Sequence, residues 1–118
     1  MPKISVEEIC NISKTALVRH GALDWISQHV GDAVAASESV GNRICGLYYL
    51  ESYCEQLLSG RVNGKASPDV QLVRSGSVYV DANDGFAQPA FAKGLPEALK
   101  LAKKNGIASL SVGRAHTC

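Results

Sequence analysis

The apolar residues of this chain change their period just past its middle. Up to about residue 58 they recur at helical spacing, and from residue 69 they fall into short alternating runs cut by tight turns. One period demands helices packed by a stripe, the other demands strands packed by a face. A further helical stretch and a last apolar run follow. That order confines the chain to a mixed α/β (α+β) architecture: three helices, a β-hairpin, a helix and a strand.

The local signals sharpen each element. Ser5, followed three residues later by Glu8, is a capping box, and Ile9, Ile12, Ala16 and Leu17 continue from it at helical spacing to a stop at Gly21. A second helix is predicted from Asp24 through Ile26, Val30, Ala33 and Val34 towards Gly41. A third starts near Cys45, carries Leu47, Leu50, Cys54, Leu57 and Leu58, and breaks at "SGRVNG". In "VQLVRSGSVYVDA" two alternating runs meet at Ser75-Gly76, a hairpin signature, and "NDG" at 83–85 is another turn. From about Gln88 to Asn105 the spacing is helical, with Ala92, Leu95, Leu99 and Ala102 on the predicted apolar face. Pro96 inside it predicts a kink, or a start at Leu95. "GIASLSV" is the last strand. The expected division is 1–66, a helical region, and 67–118, an incomplete α/β region.

Charge and cysteines remove whole classes of function. Twelve basic residues against eleven acidic leave a net +1, so nothing concentrates positive potential for nucleic acid. The densest cations, Lys100, Lys103 and Lys104, close a helix, where they suit its dipole. Cys10, Cys45, Cys54 and Cys118 form no C-x-x-C pair, so metal-ligand spacing is missing and no metal is expected. No run reaches the ~18 apolar residues of a membrane span. "MPKISVEE" carries no signal region, and the chain is expected in the cytoplasm with reduced thiols. No G-x-G-x-x-G or G-x-x-x-x-G-K-[ST] cradle occurs.

Few residues remain that could do chemistry. His20 at a helix end reads as structural, and His29, in mid-helix, as a surface residue. His116 stands just past the last strand, at the edge where α/β proteins place ligand loops, and could exchange a proton near neutral pH. Only two residues follow it, so any pocket it served is expected to need walls from elsewhere. Tyr49 and Tyr53 share a helix face, either as core packing or as a pocket lining. Cys45, at the start of the third helix, is placed to have its thiol acidified by the helix end, but no base for a nucleophile is identifiable.

Taken together, "GLYYLESYCEQLLSGRVNGKASP", "VYVDANDGFAQPA" and "AKKNGIASLSVGRAH" resemble the malate/L-lactate dehydrogenase type-2 family. The likeness is nearest its Δ1-piperidine-2-carboxylate/Δ1-pyrroline-2-carboxylate reductase branch, and spans about the first third of a family member. The resemblance implies an oxidoreductase reducing cyclic imino acids or 2-oxo acids with NADPH or NADH, in a fold of the family's own and usually as a dimer. It places the three helices as a cap and the hairpin, helix and strand as the opening of the family's central domain. The family's cofactor loops lie mostly downstream, which leaves cofactor-binding residues unidentified here and binding by this chain alone in doubt. Partners expected on this footing are a second copy or a complementary chain, and a small imino or oxo acid.

The family motifs carry over unevenly. Where the family opens its third helix with Ser-His-Gly, this chain has Ile44, Cys45 and Gly46; Tyr49 stands for the family's Arg, and Tyr53 is kept. Cys45, Tyr49 and Tyr53 thus become the substrate-binding candidates. A tyrosine offers one neutral hydrogen bond, worth ~1 kcal/mol, where a guanidinium offers a charged fork at ~1.5–3. Asp84 to Ala90 match the imino-acid reductase branch, and near the end Ala115 replaces a Ser while His116, the acid/base candidate, is kept. The expected polypeptide is a truncated or split reductase, inactive alone. The alternative is a non-catalytic remnant or interaction module.

Overall fold

The computed structural model describes residues 3–117, and Cys118 lies outside them. They form two compact units, 3–65 and Ala66–Thr117.

The first unit is three helices: α1 (Val6–Arg19), α2 (Asp24–Ser39) and α3 (Leu47–Ser59). The Ser5 capping box closes as its spacing requires, with the Glu8 N–H donating to Ser5 Oγ at 3.1 Å and the Ser5 N–H to Glu8 Oε2 at 2.9 Å. α1 and α2 bury Ile9 and Leu17 on one, Ile26, Val30 and Val34 on the other. Their backbones approach closely at Gly31, where an added Cβ would stand 3.1 Å from the Cys10 carbonyl oxygen. α3 begins later than its apolar run implies. Gly46 is the N-cap, which leaves Cys45 ahead of the helix, and Gly60 ends it in the left-handed conformation.

The second unit is one sheet and one helix: β1 (Asp69–Arg74), β2 (Ser77–Asp81), α4 (Ala87–Asn105) and β3 (Ser109–Gly113). β1 and β2 form the antiparallel hairpin over Ser75-Gly76, irregular between Leu72 and Arg74. β2 and β3 pair in parallel, Val78 with Leu110 and Val80 with Val112, in the order β1-β2-β3. β2-α4-β3 is therefore a βαβ unit, and the carboxyl ends of β2 and β3 emerge side by side.

α4 corrects the sequence in two respects. It runs through Pro96 unbroken, and its core stripe is Ala90, Gly94 and Ala98, with Leu101 beside it, while Leu99 is 53% exposed. The stripe follows from Gly94: an added Cβ would meet Val80 and would lie 2.8 Å from Leu110. Small residues let the helix settle onto the branched side chains of the sheet, and that gain outweighs burying the larger Leu99.

Candidate functional site

Two parallel strand ends create the chemistry-bearing corner of the second unit. Past β2 and β3 the pairing continues in irregular backbone: the Ala82 N–H donates to the Gly113 carbonyl at 2.9 Å and the Asp84 N–H to the Arg114 carbonyl at 2.9 Å. Asn83, Asp84 and Arg114 all carry positive φ, at 52°, 62° and 48°. The "NDG" turn is thus made left-handed by its Asn and Asp, types that tolerate it, and not by Gly85. Arg114 is a less usual occupant, and such a backbone costs about 1–2 kcal/mol.

His116 is stitched onto this corner by its backbone. Its N–H donates to the Gly85 carbonyl at 2.8 Å, and its carbonyl accepts from the Ala87 N–H, the first residue of α4, at 2.9 Å. The residue is half-buried, its ring edge-on to the buried Phe86 at 6.1 Å between centroids and its Nε2 shielded from solvent. His116 thus stands at the mouth of the βαβ unit, at the amino end of α4.

The charged group that sequence reasoning missed is Arg114. Its Nε donates to Asp81 Oδ1 at 3.0 Å, and its Nη2 donates to Asp81 Oδ2 and to Asn83 Oδ1, both at 2.7 Å. Nη1 lies 3.8 Å from Asp84. That fork, and then the Asn83 N–H, hold the Asp81 carboxyl below the usual carboxylate range, and Asp81 in turn raises the Arg114 guanidinium. A signal was present: "DAND" follows one strand and "GRAH" its parallel neighbour, so opposite charges leave adjacent strand ends.

The other candidates lie in the helical unit. Tyr53 is 1% exposed and edge-on to Tyr49 at 5.1 Å, while Tyr48, on another face, is 79% exposed. The Cys45 N–H faces Asn42 Oδ1 at 3.5 Å. The amino end of α3 is already taken, because the Leu47 N–H donates to Glu38 Oε1 at 2.8 Å and a Cβ at Gly46 would strike the same carboxylate. A substrate carboxylate arriving there would meet the charge of Glu38. His20 donates from Nδ1 to the Ala16 carbonyl at 2.6 Å, a structural contact. His29 is half-buried, edge-on to Trp25 at 6.1 Å, and not simply on the surface. Two thiols are pushed up, away from nucleophilic chemistry: Cys10 by its hydrogen bond to Asp32 at 3.0 Å, Cys54 by burial.

Comparison with known proteins gives this arrangement a class. The sequence profile of malate/L-lactate dehydrogenase matches residues 4–118, and the chain belongs to that family. It is 31% identical over 114 residues to a Δ1-pyrroline-2-carboxylate/Δ1-piperideine-2-carboxylate reductase of Pseudomonas putida, covering 97% of this chain and 33% of the relative. It is 33% identical over 113 residues to a (2R)-3-sulfolactate dehydrogenase (NADP(+)) of Chromohalobacter salexigens, covering 96% and 34%. Among solved structures, a malate dehydrogenase from Pyrococcus horikoshii superposes with a TM-score of 0.87 at 19% identity, over 98% of this chain and 33% of the other, a likeness of fold. The chain spans about a third of the length of the relatives it matches.

None of three open grooves brings two cations together for a dinucleotide's diphosphate, and that of about 350 Å³ on α1 holds Arg19 alone. A diphosphate needs backbone N–H groups or cations converging on it. Here the open groove of about 600 Å³ beside α1 and α2 is lined by Glu7 and Asp32, and that of about 520 Å³ on α3 by Glu51 and Glu55. In the second unit the guanidinium beside His116 is already committed to carboxylates. Among the described residues no group of His, Cys, Asp or Glu is gathered for a metal ion, and no helix is long and apolar enough to cross a membrane.

Proposed function

We propose that this chain carries the proton-handling part of a reductase for cyclic imino acids or 2-oxo acids. The observation that supports the reading most is His116, a kept family residue fixed through both backbone groups at the joined ends of β2, β3 and α4. In this reading His116 is the group that passes a proton to the nitrogen or oxygen of the C=N or C=O bond as that bond is reduced. In the helical unit Tyr49 and Cys45 remain the substrate-binding candidates, while Tyr53 is buried behind Tyr49 as core packing. Because Tyr49 stands where the family has arginine, the substrate carboxylate is held weakly by this chain. The nicotinamide cofactor, NADPH or NADH, is bound by residues other than these. In this reading residues 3–117 by themselves turn over no substrate, and a second copy or a complementary chain is the partner expected to supply the cofactor-binding residues. Its thiols suit the reducing cytoplasm.

The test is complementation. The purified chain, given Δ1-piperideine-2-carboxylate and NADPH, should show no oxidation of cofactor. Adding the remaining two-thirds of the Pseudomonas putida relative as a separate polypeptide should restore turnover, and His116→Gln should lower it by about 10²–10⁴-fold. Robust turnover by the chain alone, or a His116→Gln complement as fast as its parent, would overturn the proposal. A remnant or interaction module, the other reading, is favoured only if no complement restores activity.

A further inference from the structure

The proposed function leaves unexplained why an arginine in a left-handed backbone, two residues from the proton carrier, is engaged by three acidic or amide side chains. Its fork geometry settles the first question, what Arg114 does not do. A guanidinium binds a carboxylate best through two parallel N–H groups on one edge. The edge made by Nε and Nη2 is spent on both oxygens of Asp81, and Nη2 is shared with Asn83. Nη1 leans towards Asp84 at 3.8 Å. An incoming substrate carboxylate would have to displace Asp81, whose own carboxylate is only 20% exposed, and would leave that charge beside the site. Arg114 is therefore badly placed as a substrate anchor, although 56% of its side chain is exposed.

Its neighbours indicate what it does instead. Asp81 is the last residue of β2, and Arg114 follows the last residue of β3, so the fork ties the two strand ends together beyond the last regular pair, Asp81 with Gly113. Gly113 is pressed by the Tyr79 side chain, which leaves no room for a Cβ, and the chain turns left-handed in the next residue. That turn brings the following backbone to Gly85 and Ala87, where the N–H and carbonyl of His116 are both bonded. On the opposite side Asn83 is fixed twice, its N–H on Asp81 at 2.9 Å and its Nδ2 on the Ser67 carbonyl at 2.5 Å. The clamp thus holds both backbones whose meeting sets the position of the imidazole.

We propose that Arg114 is a positioning residue for His116, its guanidinium fork on Asp81 and Asn83 locking the strand-end turn that seats His116 on the first turn of α4. This rests on the proton-handling role of His116 for its functional meaning. The clamp itself is measurable without any turnover.

The experiment is NMR on the ¹⁵N-labelled 118-residue chain, following amide exchange at His116 and Ala87 and the titration of the His116 ring. Arg114→Gly keeps a left-handed backbone accessible while removing the guanidinium with its whole side chain, and Asp81→Asn controls for the added backbone freedom. It should speed exchange at those two amides at least tenfold and shift the ring titration, with Val80 exchange in β2 unchanged. Asp81→Asn, close to isosteric, should act in the same direction. Arg114→Lys, a charge without a fork, should recover only part of the protection. Unchanged His116 and Ala87 exchange and an unchanged ring titration in both Arg114→Gly and Asp81→Asn would overturn the clamp. So would equal loss of protection at Val80, which signals a general structural role. Loss of the clamp with complementation still dependent on His116 leaves the functional reading standing; an intact clamp with a dispensable His116 removes the reading alone.

Discussion

The helical unit and the sheet unit are built from different kinds of information. In the first, helix ends are written into neighbouring residues: Ser5 with Glu8, Gly21 after α1, Gly60 after α3. In the second, the decisive pairings join residues 32 or so positions apart, Val78 with Leu110 and Asp81 with Arg114, across the whole of α4. The contrast teaches where to look for chemistry. Local signals place elements, but the charged corner and the histidine come together only where distant strand ends meet.

The sheet unit is most vulnerable at Phe86, the buried N-cap of α4 that also faces His116. Phe86→Ala should destabilise the sheet unit by about 3–5 kcal/mol, read as lost amide protection in β2 and α4 during urea unfolding. Survival of that protection at wild-type urea would show that the corner does not depend on its aromatic floor.

Glycine substitutions sharpen the contrast at a smaller scale. Gly94→Ala forces a Cβ into Val80 and Leu110, and should destabilise by about 1–2 kcal/mol after the helix-propensity gain is subtracted. Gly31→Ala meets only ordinary-to-tight backbone contacts from α1, at 3.1 and 3.4 Å, and should fall within about 1 kcal/mol of neutral. Chemical denaturation of the two variants compares them directly, and an equal or reversed ranking would contradict the packing described for α4.

Ser5→Ala should cost about 1 kcal/mol, seen as fraying of the first turn of α1 in amide exchange, with Ser5→Thr close to wild type. The weakest effect is acid. Asp81 and Glu8 both have carboxyls held below their usual range, by the Arg114 fork and by the Ser5 N–H respectively. Such groups contribute stability that is present above the unfolded carboxylate value near ~4 and is lost as pH falls through the lower folded value. Stability should therefore be flat from pH 7 to about 5 and decline below ~4, and Asp81→Asn should flatten that decline. A decline starting near pH 6 would point to histidine instead.

Much of this was readable from residue order. The capping box, the Ser75-Gly76 hairpin, the helical and alternating segments and His116 past a strand all follow from spacings of two to four residues, where backbone geometry is the whole cause. The face of α4 was not readable, because Leu99 outscores Gly94 on hydrophobicity and only the shape of the opposing Val80 and Leu110 reverses that preference. For a related reason Pro96 does not delay the start of α4 to Leu95: a proline weakens one turn, while packing onto the sheet stabilises the helix on both sides of it. Glu38 at the amino end of α3 was equally hidden, since its contact crosses from another helix.

The kind and order of elements follow from residue order alone, since turn chemistry and hydrophobic period act over a few residues. Which side chains share a site, Arg114 with Asp81 and Asn83, His116 with Phe86, depends on long-range packing. Those pairs are fixed by the parallel register of β2 and β3, and register is set by the packing of α4 onto the sheet as a whole, a property no short stretch of residues carries.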